Sequence, residues 1–173
     1  MRSTRAPEAL RSRLPVLDIE ASGLGAGSYP IEVGVVLPDG SGHCSLVRPQ
    51  PDWRHWDPAA EAVHGIARAT VLQHGRPVAE VAAALNRLLG GITVYTDAWS
   101  QDYSWLHRLY DAAEAVPNFR LASIESVLGA VEAERWNAIK AAIVARTQAV
   151  RHRASADARV IQATVHEWLE QAA

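Results

Sequence analysis

The sequence predicts an α/β fold: a five-stranded mixed sheet, an antiparallel meander first and parallel strands after it, with helices packed on it. Three observations carry this expectation. Three β-rich runs, at 14–20, 29–37 and 43–47, are separated by turns alone, and strands joined so closely pair antiparallel. Beyond residue 76 the apolar residues fall into helical spacing, and helices alternate with two further short strands. Strands joined through helices require parallel crossovers, so the later strands extend the same sheet in parallel.

Each element has its own signal. Leu14 to Glu20 is an apolar run interrupted by Asp18 and Glu20, and it ends in the glycine-rich turn Ala21 to Gly27. Ile31, Val33, Val35 and Val36 mark the second strand, the turn Pro38 to Gly42 stops it, and His43 to Val47 is the third. Arg48 to Pro58 leaves the sheet as a loop carrying Trp53 and Trp56, and Asp57 is placed to cap a short helix running to Val63. Pro77 opens a helix whose stripe is Val78, Val81, Ala82, Leu85, Leu88 and Leu89, with Gly90 and Gly91 as its stop. Ile92 to Thr96 reads as a strand, Ser100 to Ala115 as a helix burying Tyr103, Leu106, Leu109 and Tyr110, and Phe119 to Leu121 as a brief strand. Helices at 123–128 and 131–150 follow, then a last one from Ser155 or Ala156 to near the end. Residues 1–13 are polar, basic and expected to be flexible, with one domain over 14–173.

Composition narrows the function. The chain has 173 residues, a formal charge of -2 and 49% hydrophobic residues, which suits a globular fold and excludes wholesale disorder. No apolar run approaches the ~20 residues of a membrane span, and the N-terminus lacks the apolar core of a secretory signal, so a cytoplasmic chain with no membrane partner is expected. Cys44 is the single cysteine, which excludes an internal disulfide and any zinc site with two cysteine ligands. Of 17 Lys+Arg only Lys140 is lysine. The mild acidity by itself argues against a protein held to nucleic acid by phosphate contacts.

The carboxylates are the anomaly. Asp18 and Glu20, two apart on an apolar strand, point to one face about 6–7 Å from each other. Like charges that close raise each other's pKa unless a cation intervenes. A solvent-exposed strand end and a divalent-metal site both fit; hard oxygen ligands would suit Mg²⁺ or Mn²⁺. Asp102 lies in the first turn of a helix that follows a strand, which is also ordinary helix-dipole chemistry. His152 and Asp157 are five apart, so the His lies just before the last helix and the Asp in its first turns.

Together these residues resemble a known family. The strand segment LDIEASG with SYPIEVGVV, the segment QDYSWL and the segment HRASADA are similar to the three motifs of the DEDD-type 3′–5′ exonucleases. The spacing from His152 to Asp157 resembles the subgroup with a histidine in its last motif, DEDDh, and Val63-His64-Gly65-Ile66 resembles a segment these enzymes carry between the first two motifs. The likeness extends over roughly 14–170 and implies an RNase H-like fold, which agrees with the sheet derived above. It implies Asp18, Glu20, Asp102 and Asp157 as ligands of two divalent ions, Mg²⁺ or Mn²⁺, and His152 as the general base. Such a site hydrolyses phosphodiester bonds at single-stranded 3′ ends of DNA or RNA and releases nucleoside 5′-monophosphates. Two cations about 3.5–4 Å apart activate water and stabilise the leaving oxygen, and an imidazole of ordinary pKa near 6.5 accepts a proton at neutral pH. Two bound divalent ions would also turn the formal charge of -2 into +2.

Departures from the family pattern leave alternatives. Ala21-Ser22 stands where many relatives carry Thr after the Glu. Asp97 stands where the second motif commonly has Asn; it either adds a fifth charge beside the metals or caps the following helix, and the cap is favoured. Ala21, Ser22, Gly23 and Leu24 are candidate substrate contacts, Leu24 as a wedge against a base or as a partly buried turn residue. His64 is either a substrate contact or a structural residue at a helix end. Trp53, Trp56 and Trp99 stack on bases or, the favoured reading, anchor loops in the core; Tyr103 and Trp105 are expected in the core. Arg151, Arg153 and Arg159 flank the candidate base as phosphate contacts or as solvated side chains. Two rival functions stand beside the nuclease: a catalytically silent nucleic-acid-binding module of the same fold, and an exonuclease confined to very short oligonucleotides. Some relatives pair to complete their substrate groove, so a homodimer through the helix at 131–150 is a further expectation, against an internal packing face.

Overall fold

The computed structural model describes residues 13–149 and 152–171; most of the N-terminal segment expected to be flexible, and Arg151, lie outside the described residues. Three strands come first: β1 (Val16–Ala21), β2 (Pro30–Val36) and β3 (Gly42–Leu46). Then come helices α1 (Pro58–His64), α2 (Arg68–His74) and α3 (Val78–Leu89), strand β4 (Thr93–Thr96), helix α4 (Trp99–Ala112) and strand β5 (Arg120–Ser123). Helices α5 (Glu125–Leu128), α6 (Ala133–Thr147) and α7 (Ala154–Gln171) complete the order. The sheet order is β3-β2-β1-β4-β5, with β1–β2 and β2–β3 antiparallel and β1–β4 and β4–β5 parallel. The predicted mixed sheet is therefore the observed one, and β1 is its central strand.

Strand alternation divides the core. Leu17 and Ile19 of β1 pair with Val35 and Val33 of β2, and these four face the cluster built from Val81, Leu85 and Leu89 of α3 and Leu106 and Leu109 of α4. Val16 pairs with Val36 on the opposite face, under a second cluster of Trp136, Ile139 and Ile143 from α6 and Val160, Ile161 and Val165 from α7. Helices thus cover both faces of the sheet. The apolar side of α6 is spent inside the molecule, as an internal packing face.

Caps explain the boundaries. Asp57 accepts a hydrogen bond from Ala59 N–H at 2.8 Å and caps α1, with Pro58 in the first turn and Gly65 closing the helix in the left-handed region. Helix α2 carries none of these signals. Its N-cap is Ala67 with no side-chain bond, and Val71 alone of its residues is fully buried, so nothing in the sequence marked it. No helix among the described residues is long and apolar enough to cross a membrane.

Candidate active site

The face of β1 that carries Val16 also carries Asp18 and Glu20, opposite Gly34 and Glu32 of β2. An irregularity in the β1–β2 register falls directly after Glu20. The N-terminus of α7 lies on this face, and Gly34 is the reason it can approach. A Cβ at Gly34 would stand 2.2 Å from the backbone of Ala154 and Ser155, so no other residue fits without displacing the helix. Asp157, in the first turn of α7, is thereby brought to the strand, and its carboxylate accepts the His152 N–H at 2.8 Å. One ligand atom each from Glu20, His152 and Asp157 lie within 4.8 Å of one another.

Asp102 arrives from α4 on the other side of β1. It is buried, and its carboxylate accepts hydrogen bonds from the Thr96 hydroxyl and from Ile19 N–H. Thr96 Oγ in turn accepts the Ala98 N–H at 3.1 Å, so the end of β4 fixes both the start of α4 and the carboxylate orientation. The carboxyl groups feel one another. Burial pushes the Asp18 carboxyl well above its usual range, and the charges of Asp102, Glu20, Asp157 and Asp97 push it further. Burial raises Asp102 to about 7; the Thr96 hydrogen bond opposes this, and the Asp97 charge adds to it.

This is a donor set suited to hard divalent cations. Carboxylate oxygens supply most of it, the imidazole adds one nitrogen, and the burial and crowding that raise the Asp18 and Asp102 carboxyls are what a cation would offset. Glu20, Asp157 and His152 form the tightest group, with Asp18 and Asp102 beside it.

The loop that carries His152 is held from below. Glu32, fully buried in β2, takes the Arg153 guanidinium in a fork: Nη2 to Oε1 at 2.6 Å and Nε to both carboxylate oxygens at 3.1 Å. The Ala154 N–H donates to the same carboxylate at 2.8 Å. Burial alone would raise Glu32, but the bonds from Arg153 and Ala154 outweigh it and hold the carboxyl below its ordinary value. Arg153, itself half exposed, thus anchors the loop to the sheet. Arg159 donates to the Gly40 carbonyl at 2.9 Å. His152 itself sits at φ 61°, a left-handed conformation uncommon for a residue with a Cβ. Glu32 was missed in the sequence reading, although a glutamate inside the run Ile31-Glu32-Val33-Gly34-Val35 is itself a signal of a partnered buried charge.

Asp97 does not cap α4. The N-cap is Ala98, without a side-chain bond, and the Asp97 carboxylate instead accepts from Lys140 Nζ at 2.6 Å and Trp136 Nε1 at 3.3 Å, both on α6. The chain's one lysine therefore faces an acid adjoining the carboxylate cluster. The pair is mostly buried, with side-chain exposures of 17% and 14%. Lys140→Met is expected to lower stability by about 1–3 kcal/mol in chemical denaturation, because it leaves a charge without its partner. Asp97→Asn/Lys140→Met together should recover most of that loss; no recovery would show that the pairing is not the cause.

The turn after β1 is built against the tryptophan loop. Ser22 Oγ accepts from Tyr29 N–H at 3.1 Å and lies 3.3 Å from His55 Nδ1, so its hydroxyl is engaged in the turn. Gly23, at φ 149°, leaves no room for a Cβ, which would meet His55 Cε1 at 2.5 Å. Ala21 is buried, whereas Leu24 is 74% exposed and is no partly buried turn residue. Leu24 overhangs a groove of about 660 Å³ shared with Ser104, Trp105 and Arg108 of α4. Trp105 Nε1 donates to Ser28 Oγ at 2.8 Å and Arg108 to the Ser28 carbonyl at 3.1 Å, tying the turn to α4.

His64 is buried at the end of α1, and its Nδ1 accepts the Ile66 N–H at 3.0 Å. Trp53 is buried and stacked on Tyr29 at 5.2 Å, and Trp56 packs on the core and donates to Glu61, as loop anchors do. Trp105 is partly buried against the same core. Trp99 and Tyr103 correct the expectation: they are 41% and 39% exposed, because the face of α4 turned to the sheet is Leu106, Leu109 and Tyr110.

A five-stranded mixed sheet of this order, sandwiched by helices with acids at the central strand, is the RNase H-like fold. Solved structures of exonuclease I share it. The zinc-bound complex of E. coli exonuclease I with single-stranded DNA superposes with a TM-score of 0.64 at 13% identity, over 88% of this chain and 39% of that one. Apo exonuclease I gives 0.67 at 14% identity over 91% and 42%, and exonuclease I of Methylocaldum szegediense 0.62 at 19% identity over 89% and 40%. The chain spans about two-fifths of the length of these proteins. No family model and no curated protein sequence matches it.

Proposed function

We propose that the chain is a divalent-metal-dependent 3′–5′ exonuclease of the DEDDh type, acting on single-stranded 3′ ends and releasing nucleoside 5′-monophosphates. The observation that supports it most is convergence. Acids from β1, α4 and α7, far apart in sequence, meet at one strand with a histidine among them. The likeness to exonuclease I, one structure of which holds single-stranded DNA, agrees with this reading.

In it, Asp18, Glu20, Asp102 and Asp157 would hold two ions, Mg²⁺ or Mn²⁺. Bound there, such ions would lower the pKa of the attacking water and neutralise charge building on the scissile phosphate. His152 would accept the proton of the attacking water, and its backbone bond to Asp157 keeps the residue beside the carboxylates. Thr96 holds the Asp102 carboxylate in one orientation. Leu24 and the groove beside it receive the terminal nucleotide, Ala21 to Gly23 let the backbone turn close to it, and His64, whose ring interacts with the Ala21 backbone, supports that turn.

The test uses DNA and RNA oligonucleotides of matched sequence and several lengths, labelled at either end, with Mg²⁺ or Mn²⁺. A 5′ label should give a descending ladder, and a 3′ label should release mononucleotide at once. His152→Ala should slow the reaction by roughly 10²–10⁴-fold. Hydrolysis from the 5′ end, or no hydrolysis with either metal, would overturn the reading; the second result would leave a silent binding module. Activity confined to the shortest oligomers would select the short-oligonucleotide alternative.

A further inference from the structure

We propose that the outer face of α4 is a base-stacking platform that carries the single strand upstream of its 3′ end; this rests on the exonuclease reading above. Trp99, Tyr103 and His107 are spaced four apart, so they rise up one face of the helix as consecutive rungs. The rings form a ladder, with centroids 4.8 Å apart between Trp99 and Tyr103 and 4.2 Å between Tyr103 and His107, at interplanar angles of 30° and 41°. All three are exposed. Large aromatic rings left together in solvent are a costly use of apolar surface unless something covers them.

The ladder is pre-set. Trp99 Nε1 lies 3.4 Å from the Leu121 carbonyl on β5, the edge strand of the sheet, which fixes the ring against the strand. A groove of about 450 Å³ separates the ladder from β5, and the exposed Arg120 on its far wall supplies one cation.

Two observations point to nucleic acid as the occupant. The first is continuity. His107 borders this groove and also the groove under Leu24, so a strand whose terminal nucleotide lies below Leu24 continues directly onto the ladder. Trp99 is also one turn from Asp102 on the same helix. The second is charge. Of the residues lining the groove beside the ladder only Arg120 is a lysine or arginine, so the groove itself offers little charge with which to track a phosphate backbone. Stacking on aromatic rings holds a strand without that charge and tolerates any base, because every base has a π-face.

The experiment compares wild type with Trp99→Ala/Tyr103→Ala on thymidine oligomers of two and twelve nucleotides. Two readouts are used: kcat/KM with Mn²⁺, and fluorescence anisotropy of a labelled dodecamer in EDTA at several salt concentrations. The ratio of kcat/KM for dodecamer over dimer should fall about tenfold or more. Dodecamer affinity should fall by a similar factor with an unchanged salt slope, since no counterion-releasing contact is removed. Trp99→Phe/Tyr103→Phe, which keeps the rings, should hold near wild type. An unchanged ratio overturns the platform, and so does an equal loss on both lengths, which marks a structural role. If wild type hydrolyses neither oligomer, the exonuclease reading fails by itself, and equal dodecamer affinity of wild type and variant in EDTA then overturns the platform as well.

Discussion

Asp102→Asn is expected to lower the hydrolysis rate by roughly 10³-fold or more while raising the thermal stability of the metal-free protein at pH 8. The two effects have one origin. Asn keeps the shape of the side chain, and its amide oxygen can still accept from the Thr96 hydroxyl, so the end of β4 stays tied to α4. It cannot supply a negative ligand. The charge stabilisation lost with a catalytic cation amounts to several kcal/mol, and each 1.36 kcal/mol is tenfold in rate. Stability moves the other way because the Asp102 carboxyl is raised to about 7 from an ordinary value of 3.8. Between those values the folded chain binds more protons than the unfolded one, so stability falls as pH rises. Above pH 7 the full penalty of a buried, crowded carboxylate is present. The neutral amide removes it. Metal-free wild type should therefore melt at a lower temperature at pH 8 than at pH 5, added Mn²⁺ should reverse most of that loss, and the Asn variant should show a shallower slope and a weaker response to Mn²⁺. A variant that melts below wild type at pH 8 without metal would show that Asp102 is not electrostatically strained.

The central part of this site was legible because it is local. Asp18 and Glu20 interrupt an apolar strand two apart, and alternation alone puts them on one face. Asp102 and Asp157 were legible as acids in first turns, and the five-residue step from His152 was enough to place it before α7. What the sequence hid is set by long-range packing. Asp97 precedes a helix and so imitates a cap, and nothing local announces that Lys140, forty-three residues on, takes its carboxylate. Tyr103 fits two helical stripes equally, one with Leu106 and Tyr110 and one with Trp99 and His107. Only the side on which α4 meets the sheet decides between them, and that side is chosen by Leu106 and Leu109. Helix α2 has neither cap nor stripe, and its place follows from the single buried Val71.

Glu32→Gln is expected to destabilise the protein by about 2–4 kcal/mol and to lower kcat far more than it alters KM. Breaking a buried ion pair by removing one partner costs about 3–5 kcal/mol. The lower range applies because Arg153 is 48% exposed and regains water when released. The amide also turns a donor toward the guanidinium and leaves the Ala154 N–H with a weaker acceptor. The rate effect follows from the backbone. His152 is held at φ 61°, which costs a residue with a Cβ about 1–2 kcal/mol, and it stays there because its neighbours on the C-terminal side are clamped to Glu32 while its own N–H is bonded to Asp157. With the clamp loosened, the loop can relax toward ordinary φ, and the ring leaves the cluster of Glu20 and Asp157. The groove along α4 proposed for the terminal nucleotide is lined by none of these residues, so KM should change little. Arg153→Gln should cost more stability than Glu32→Gln, since it strands a fully buried carboxylate, and the double variant should cost less than the sum of the two. Wild type gains from this pair at neutral pH and loses the gain as pH falls through the lowered pKa of Glu32, opposite in sign to the slope set by Asp102. Urea denaturation and single-turnover kinetics of the three variants decide the matter: a Glu32→Gln protein within about 0.5 kcal/mol of wild type, or a loss carried wholly by KM, would mean that the loop bearing His152 keeps its conformation without this clamp.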